Sequence, residues 1–227
     1  MIKITLSTKN LIINRYLHLL VIILLTFLCF PLLSVRDVHL GLPVLSLIFV
    51  ITILSAMRAI IEKPKRYHFY VILALAGLCV DWISELFLRE HLISRNIVSA
   101  LVLCLFIFFL IVAIFEMLKH LFYSRTVTID SILGGISIYF LLGYLWTCIF
   151  LLIGIFDKEA FDIITKTQML YFSFSTITTL GYGDIVPNSG LAKMLANLEA
   201  ITGQMYTTIF IARLVGLQIV SEASKKE

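Results

Sequence analysis

Residues 176–184 read Thr-Ile-Thr-Thr-Leu-Gly-Tyr-Gly-Asp, a small, hydroxylated, glycine-rich run inside an otherwise apolar chain. Gly181 and Gly183 flank Tyr182, and Asp184 follows at once. Glycine is costly in a helix interior, so this run does not continue a spanning helix. In a membrane, irregular backbone persists only where it is buried in protein or lines a wet cavity. Glycine also reaches backbone angles closed to other residues, so alternating glycines let successive carbonyls point towards one axis. Four such strands around that axis would stack rings of oxygens able to replace the water shell of a bare cation.

Apolar spans must hold such a run in place. Of the 227 residues, 60% are hydrophobic and 14% charged, and the mean hydropathy is +1.04. Soluble domains are nearer to about half and a quarter, so an integral membrane protein of helices and short loops is expected. The net charge is only +4, and the basic residues lie between apolar runs. They read as topology signals and not as a nucleic-acid surface. Cys29, Cys79, Cys104 and Cys148 each sit within an apolar run, with neither metal spacing nor a disulfide pattern. The basic start and apolar run that follows lack a small-x-small cleavage site, so the first helix is expected to stay attached.

The expected fold is an all-α membrane protein with six transmembrane helices, near residues 16–35, 40–61, 69–88, 97–115, 131–156 and 191–220. Each is long enough to cross a bilayer, and Pro31 is expected to kink the first. A re-entrant loop carrying the glycine run lies between the last two. This divides the chain into an N-terminus (1–15), a four-helix unit (16–118), a connector (119–130), a loop-bearing unit (131–220) and a tail (221–227). Lys and Arg crowd the N-terminus and second loop, which places both termini in the cytoplasm and the glycine run on the outer side.

Thr179-Leu180-Gly181-Tyr182-Gly183 resembles the selectivity filter of potassium channels, with Leu180 where valine is commoner; that filter is the general example of cation selection by backbone carbonyls. Tyr171–Thr178 is similar to the pore helix of that family, and Asp184-Ile185-Val186-Pro187 also fits it. The resemblance implies passive, potassium-selective conduction. It places K+ at Thr179, through carbonyl and hydroxyl, and at the carbonyls of Leu180, Gly181 and Tyr182, with Gly183 closing the filter. No cofactor is implied, and the partners are K+, the lipid bilayer and further copies of the chain. One motif per chain implies a homotetramer, in a plasma (inner) membrane and, given the small size, of bacterial type. Weakly selective cation conduction and a non-conducting scaffold or assembly subunit are the rival readings. An ion-coupled transporter would call for pore repeats.

Some relatives carry a filter-backing glutamate where Ser175 stands here. Glu199 is the candidate replacement brace, with a plain hydrogen bond to pore-helix hydroxyls such as Ser173 or Thr176 as the alternative, and Ser175, Thr178 and Asp184 are the other filter supports. Removing its charge with Glu199→Gln is expected to weaken the filter. Gly203 follows Gly181 by 22 residues and resembles the family's gating hinge, with close packing against the pore helix as the equal alternative. Arg213 would either ring the inner mouth or snorkel to headgroups. The first four helices resemble a voltage sensor in organisation only, because no Lys or Arg lies between Arg95 and Lys119 and gating charges are what voltage acts on. Asp81 and Glu85, one turn apart, are candidates for pairing within the membrane, with a gating role for Asp81 and contact with water for Glu85 as the alternatives. Residues 116–122 form either a linker helix at the interface or an extension of the fourth span. No regulatory domain is expected after residue 218, and the gating stimulus has no signature.

Overall fold

The computed structural model describes residues 15–34, 64–87, 92–124, 126–162 and 165–223, with positions 47, 50–52, 54, 55 and 58. All regular structure among them is helical: α1 Arg15–Ser34, α2 Pro64–Phe87, α3 Leu92–Tyr123, α4 Ile129–Phe156, α5 Lys166–Ile177 and α6 Gly190–Ala223. Most of the second expected span lies outside the described residues, as do the side chains of Asp81, Glu85 and Arg95.

Local chemistry sets the boundaries. α2 begins on Pro64, where a fixed φ and a missing N–H cost nothing, so Lys65 and Arg66 belong to a first turn and not to a loop. α3 runs unbroken through residues 116–122. Ala113, Met117 and Leu121 are buried there while Lys119 and His120 are exposed, an amphipathic continuation of the fourth span. Thr128 caps α4 by accepting from the Ser131 N–H at 3.1 Å. α5 starts five residues before the expected Tyr171. Its first turn is closed by a reciprocal capping box: Gln168 N–H donates to Thr165 Oγ1 and Thr165 N–H to Gln168 Oε1, each at 3.2 Å. Ser189 caps α6 at the Ala192 N–H, 3.4 Å away.

α4 is the central element. α1, α3, α5 and α6 all pack on it; α5 also packs on α6 and touches α1, and α2 flanks α3. Ile138, Leu141, Tyr144 and Phe150 of α4 are fully buried with Leu19, Ile23, Phe109 and Leu110. Gly143 lets α5 come close, since a Cβ there would stand 2.6 Å from the Phe174 ring. Among the described residues, two helical stretches, Asn96–Tyr123 and Ile129–Phe156, are long and apolar enough to cross a membrane. Large apolar side chains such as Ile72, Phe115, Met194 and Ile201 face outward.

Candidate functional site: the glycine segment between α5 and α6

After α5 ends at Ile177, positive φ recurs at every second residue: Thr179 (+58°), Gly181 (+56°) and Gly183 (+78°). For the glycines this costs little. For the β-branched Thr179 it is an outlier, a strain of about 1–3 kcal/mol that only a surrounding network can hold. Three backbone bonds supply part of that network. Thr179 N–H donates to Thr176 O at 2.9 Å, while Leu180 and Gly181 N–H both donate to Ser175 O, at 2.9 and 3.1 Å. These bonds turn the amides of residues 179–181 back onto the end of α5. The α5 C-terminus, the negative end of its dipole, abuts the same segment. Leu180 and Tyr182 are 57% and 68% exposed, so the segment forms an open face of the single chain.

An aromatic and polar shell stands behind it. Tyr171 and Tyr182 stack with ring centroids 6.3 Å apart and planes 5° from parallel. The Tyr171 hydroxyl donates to Asp184 Oδ1 at 3.0 Å, so Asp184 is held by a tyrosine of α5. Downstream, Asn188 N–H donates to Ala160 O at 2.8 Å and its side-chain amide to Asp162 at 2.7 Å, tying the exit of the segment to the loop after α4.

The base of α5 is clamped from both sides. The Tyr139 hydroxyl of α4 donates to Ile177 O at 3.1 Å, and Thr178 Oγ1 donates back to Phe174 O at 2.6 Å. Gly203 of α6 presses on the same carbonyl, since a Cβ there would overlap Ile177 O and stand 2.7 Å from Ile177 Cγ1. Close packing therefore accounts for this glycine. The Tyr206 hydroxyl donates to Gly135 O at 2.7 Å, fastening α6 to α4. Phe174 is a hub between helices, with ring centroids 4.7, 5.6 and 5.8 Å from Phe27, Phe140 and Tyr144.

Thr178–Gly183 and Asp184 thus form one segment, with Ser175 beneath it through its carbonyl. Glu199 is fully buried and bonded to Ser173 of α5 at 2.5 Å, and its other carboxyl oxygen has no hydrogen-bond partner, so no hydrogen bond joins it to Ser175 or Asp184. Thr207 and Thr208 bond back to the carbonyls of Gly203 and Gln204 at 2.6 and 2.7 Å. Arg213 donates to Ser124 O at 2.7 Å and lies 5.1 Å over the Phe122 ring, joining the C-terminal half of α6 to the end of α3. Sequence reasoning did not find Tyr139, Tyr206 or Gln204, whose amide donates to Thr179 Oγ1 at 3.3 Å. A Thr-x-x-Gln capping signature was readable at 165–168 and marks the true start of α5.

Residues 132–217, which span α4 to α6, match the protein family described as Ion channel. That family is one of channels and not of enzymes. A stretch of 45 residues is 40% identical to the two pore potassium channel a of Oryza sativa subsp. japonica, covering 20% of this chain and 13% of that protein. No solved structure matches the chain.

Proposed function

We propose that the chain is one subunit of a homotetrameric, potassium-selective channel whose pore is lined by residues 179–183. The carrying observation is the period-two recurrence of positive φ at Thr179, Gly181 and Gly183. Such a backbone lends its carbonyls to one axis, and four copies would enclose that axis with stacked oxygen rings. A potassium ion exchanges its water for these oxygens site by site and moves down its electrochemical gradient, with no cofactor. The Thr179 hydroxyl stands at the innermost site. The Tyr171–Tyr182 stack and the Tyr171–Asp184 bond hold the ring diameter from outside. The ion-channel match over α4–α6 supports conduction, and the rice relative's name supports potassium as the ion.

The open face of residues 178–184 supports assembly, because a ring of oxygens closes only with further copies. The outward apolar side chains of α6, among them Leu191, Leu198 and Met205, are the surface offered to lipid or to those copies. A six-span subunit with both termini in the cytoplasm, in a plasma or inner membrane, completes the reading. Voltage dependence is weak, since residues 96–118 carry no Lys or Arg and steep opening needs several charges in the field.

Purified protein in liposomes, assayed for potassium against sodium flux, tests this. Potassium flux without sodium flux is expected. Equal fluxes would favour a weakly selective cation channel, and an assembled protein passing neither ion would favour a scaffold.

A further inference from the structure

Ser173 sits between two oxygens. Its Oγ is 2.8 Å from the Gly143 carbonyl of α4 and 2.5 Å from Glu199 Oε1 of α6. Ser173 and Glu199 are both fully buried. A hydroxyl has one hydrogen, so it satisfies only one of these contacts as donor, and a carbonyl donates none. The 2.5 Å separation is short in either direction, so the count of protons decides.

If Ser173 donated to a charged Glu199, its Oγ would face the Gly143 carbonyl with no hydrogen between them. The charge would also be buried with Oε2 lacking any hydrogen-bond partner and, among the described residues, with no basic side chain paired to it. A carboxylate in that position loses its hydration without compensation. The titratable group facing it from α4 is Tyr139, whose hydroxyl is already given to Ile177 O. The geometry points to the opposite direction: Glu199 keeps its proton and donates to Ser173, and Ser173 donates to Gly143 O. The two bonds then form a continuous bolt from α6 through α5 to α4, and α5 is the helix that leads into the glycine segment. In the channel reading, on which its consequence rests, Glu199 is a positioning residue for the filter that works as a neutral donor. This reverses the expectation that its charge matters.

The test uses infrared difference spectroscopy of the assembled wild type against Glu199→Gln at neutral pH, together with potassium and sodium permeability of both and of Glu199→Ala. The account expects the spectrum to lose the carbonyl stretch of a protonated carboxylic acid. Glu199→Gln, whose amide still donates, keeps wild-type selectivity and current decay. Glu199→Ala leaves Ser173 without its donor, and current decay quickens on the order of tenfold. Loss of a carboxylate band instead, or a Glu199→Gln protein that fails to assemble or decays like the alanine variant, would overturn the assignment. The infrared result needs no current. A protonated acid in a protein that passes no ions would therefore sink the channel reading and leave the donor assignment standing.

Discussion

In α4–α6, side-chain hydroxyls and a carboxyl reach across to neighbouring helices: Tyr139 to Ile177 O, Tyr206 to Gly135 O, Ser173 to Gly143 O and Glu199 to Ser173. Among the described residues of the N-terminal part, Tyr16 Oη of α1 and His120 Nδ1 of α3 lie 3.3 Å apart, the buried hydroxyls of Thr26 in α1 and Thr52 bond to each other at 2.9 Å, and Leu19, Ile23 and Phe109 join the same apolar core as α4. Both regions are helical, and among the described residues the polar links of α4–α6 are the ones that reach α5 and the glycine segment. Apolar packing tolerates small shifts at modest cost, whereas a buried polar contact broken on one side leaves its partner's desolvation uncompensated. Three of the four α4–α6 links end on α5, the helix that runs directly into the strained path.

The sharpest break of this contrast is Gly181→Ala. No atom lies within 4 Å of a Cβ built there in the single chain, so the cost is conformational, about 1–2 kcal/mol per copy for an L-residue held left-handed. Potassium flux should fall at least about tenfold in liposomes while cross-linking still finds tetramers.

Next comes a pair of glycines, one from each region. Gly203→Ala meets the backbone carbonyl of Ile177, which cannot step aside, so an overpacking cost of about 1–3 kcal/mol is expected. It should appear as lower thermal stability and poorer potassium-over-sodium selectivity. A pure hinge role would instead shift open probability with selectivity intact. Gly77→Ala in α2 meets only the end of the Leu105 side chain at 2.8 Å, which can change rotamer. Its melting temperature and selectivity should stay close to wild type.

Tyr139→Phe removes the donor to Ile177 O and should cost about 1 kcal/mol, read as faster current decay. Thr26→Val in α1 combined with Thr52→Val takes away both hydroxyls of a buried bond together, the change that costs least for such a bond. Flux and melting behaviour should match wild type. If the threonine pair mattered as much as Tyr139, the contrast between the regions would fail.

What the sequence made legible follows the same division. Gly181 and Gly183 announce their angles through residue type, because a left-handed path selects glycine. Thr179 carries no such mark, and its strained φ arises from the bonds to the end of α5. Glu199 was readable as a buried acid near the α5 hydroxyls, but its direction of donation depends on the Gly143 carbonyl, which only the crossing of α4 and α5 brings within reach. Gly203 showed that a glycine was required, and the nearness of Ile177 O gives the reason. Helix ends were readable where capping chemistry wrote them, at Thr165–Gln168 and Pro64. The links of Arg213 to Ser124 and of Tyr206 to Gly135 join residues 89 and 71 positions apart, and no local pattern encodes them.

The central claim is that the backbone of residues 179–183 selects potassium. A reversal-potential measurement in planar bilayers, with potassium on one side and sodium on the other, tests it most directly. The account predicts a reversal potential displaced strongly towards that of potassium in the wild type, and loss of that current in Gly181→Ala. A wild-type reversal potential near zero, or an unchanged selective current in Gly181→Ala, would contradict it.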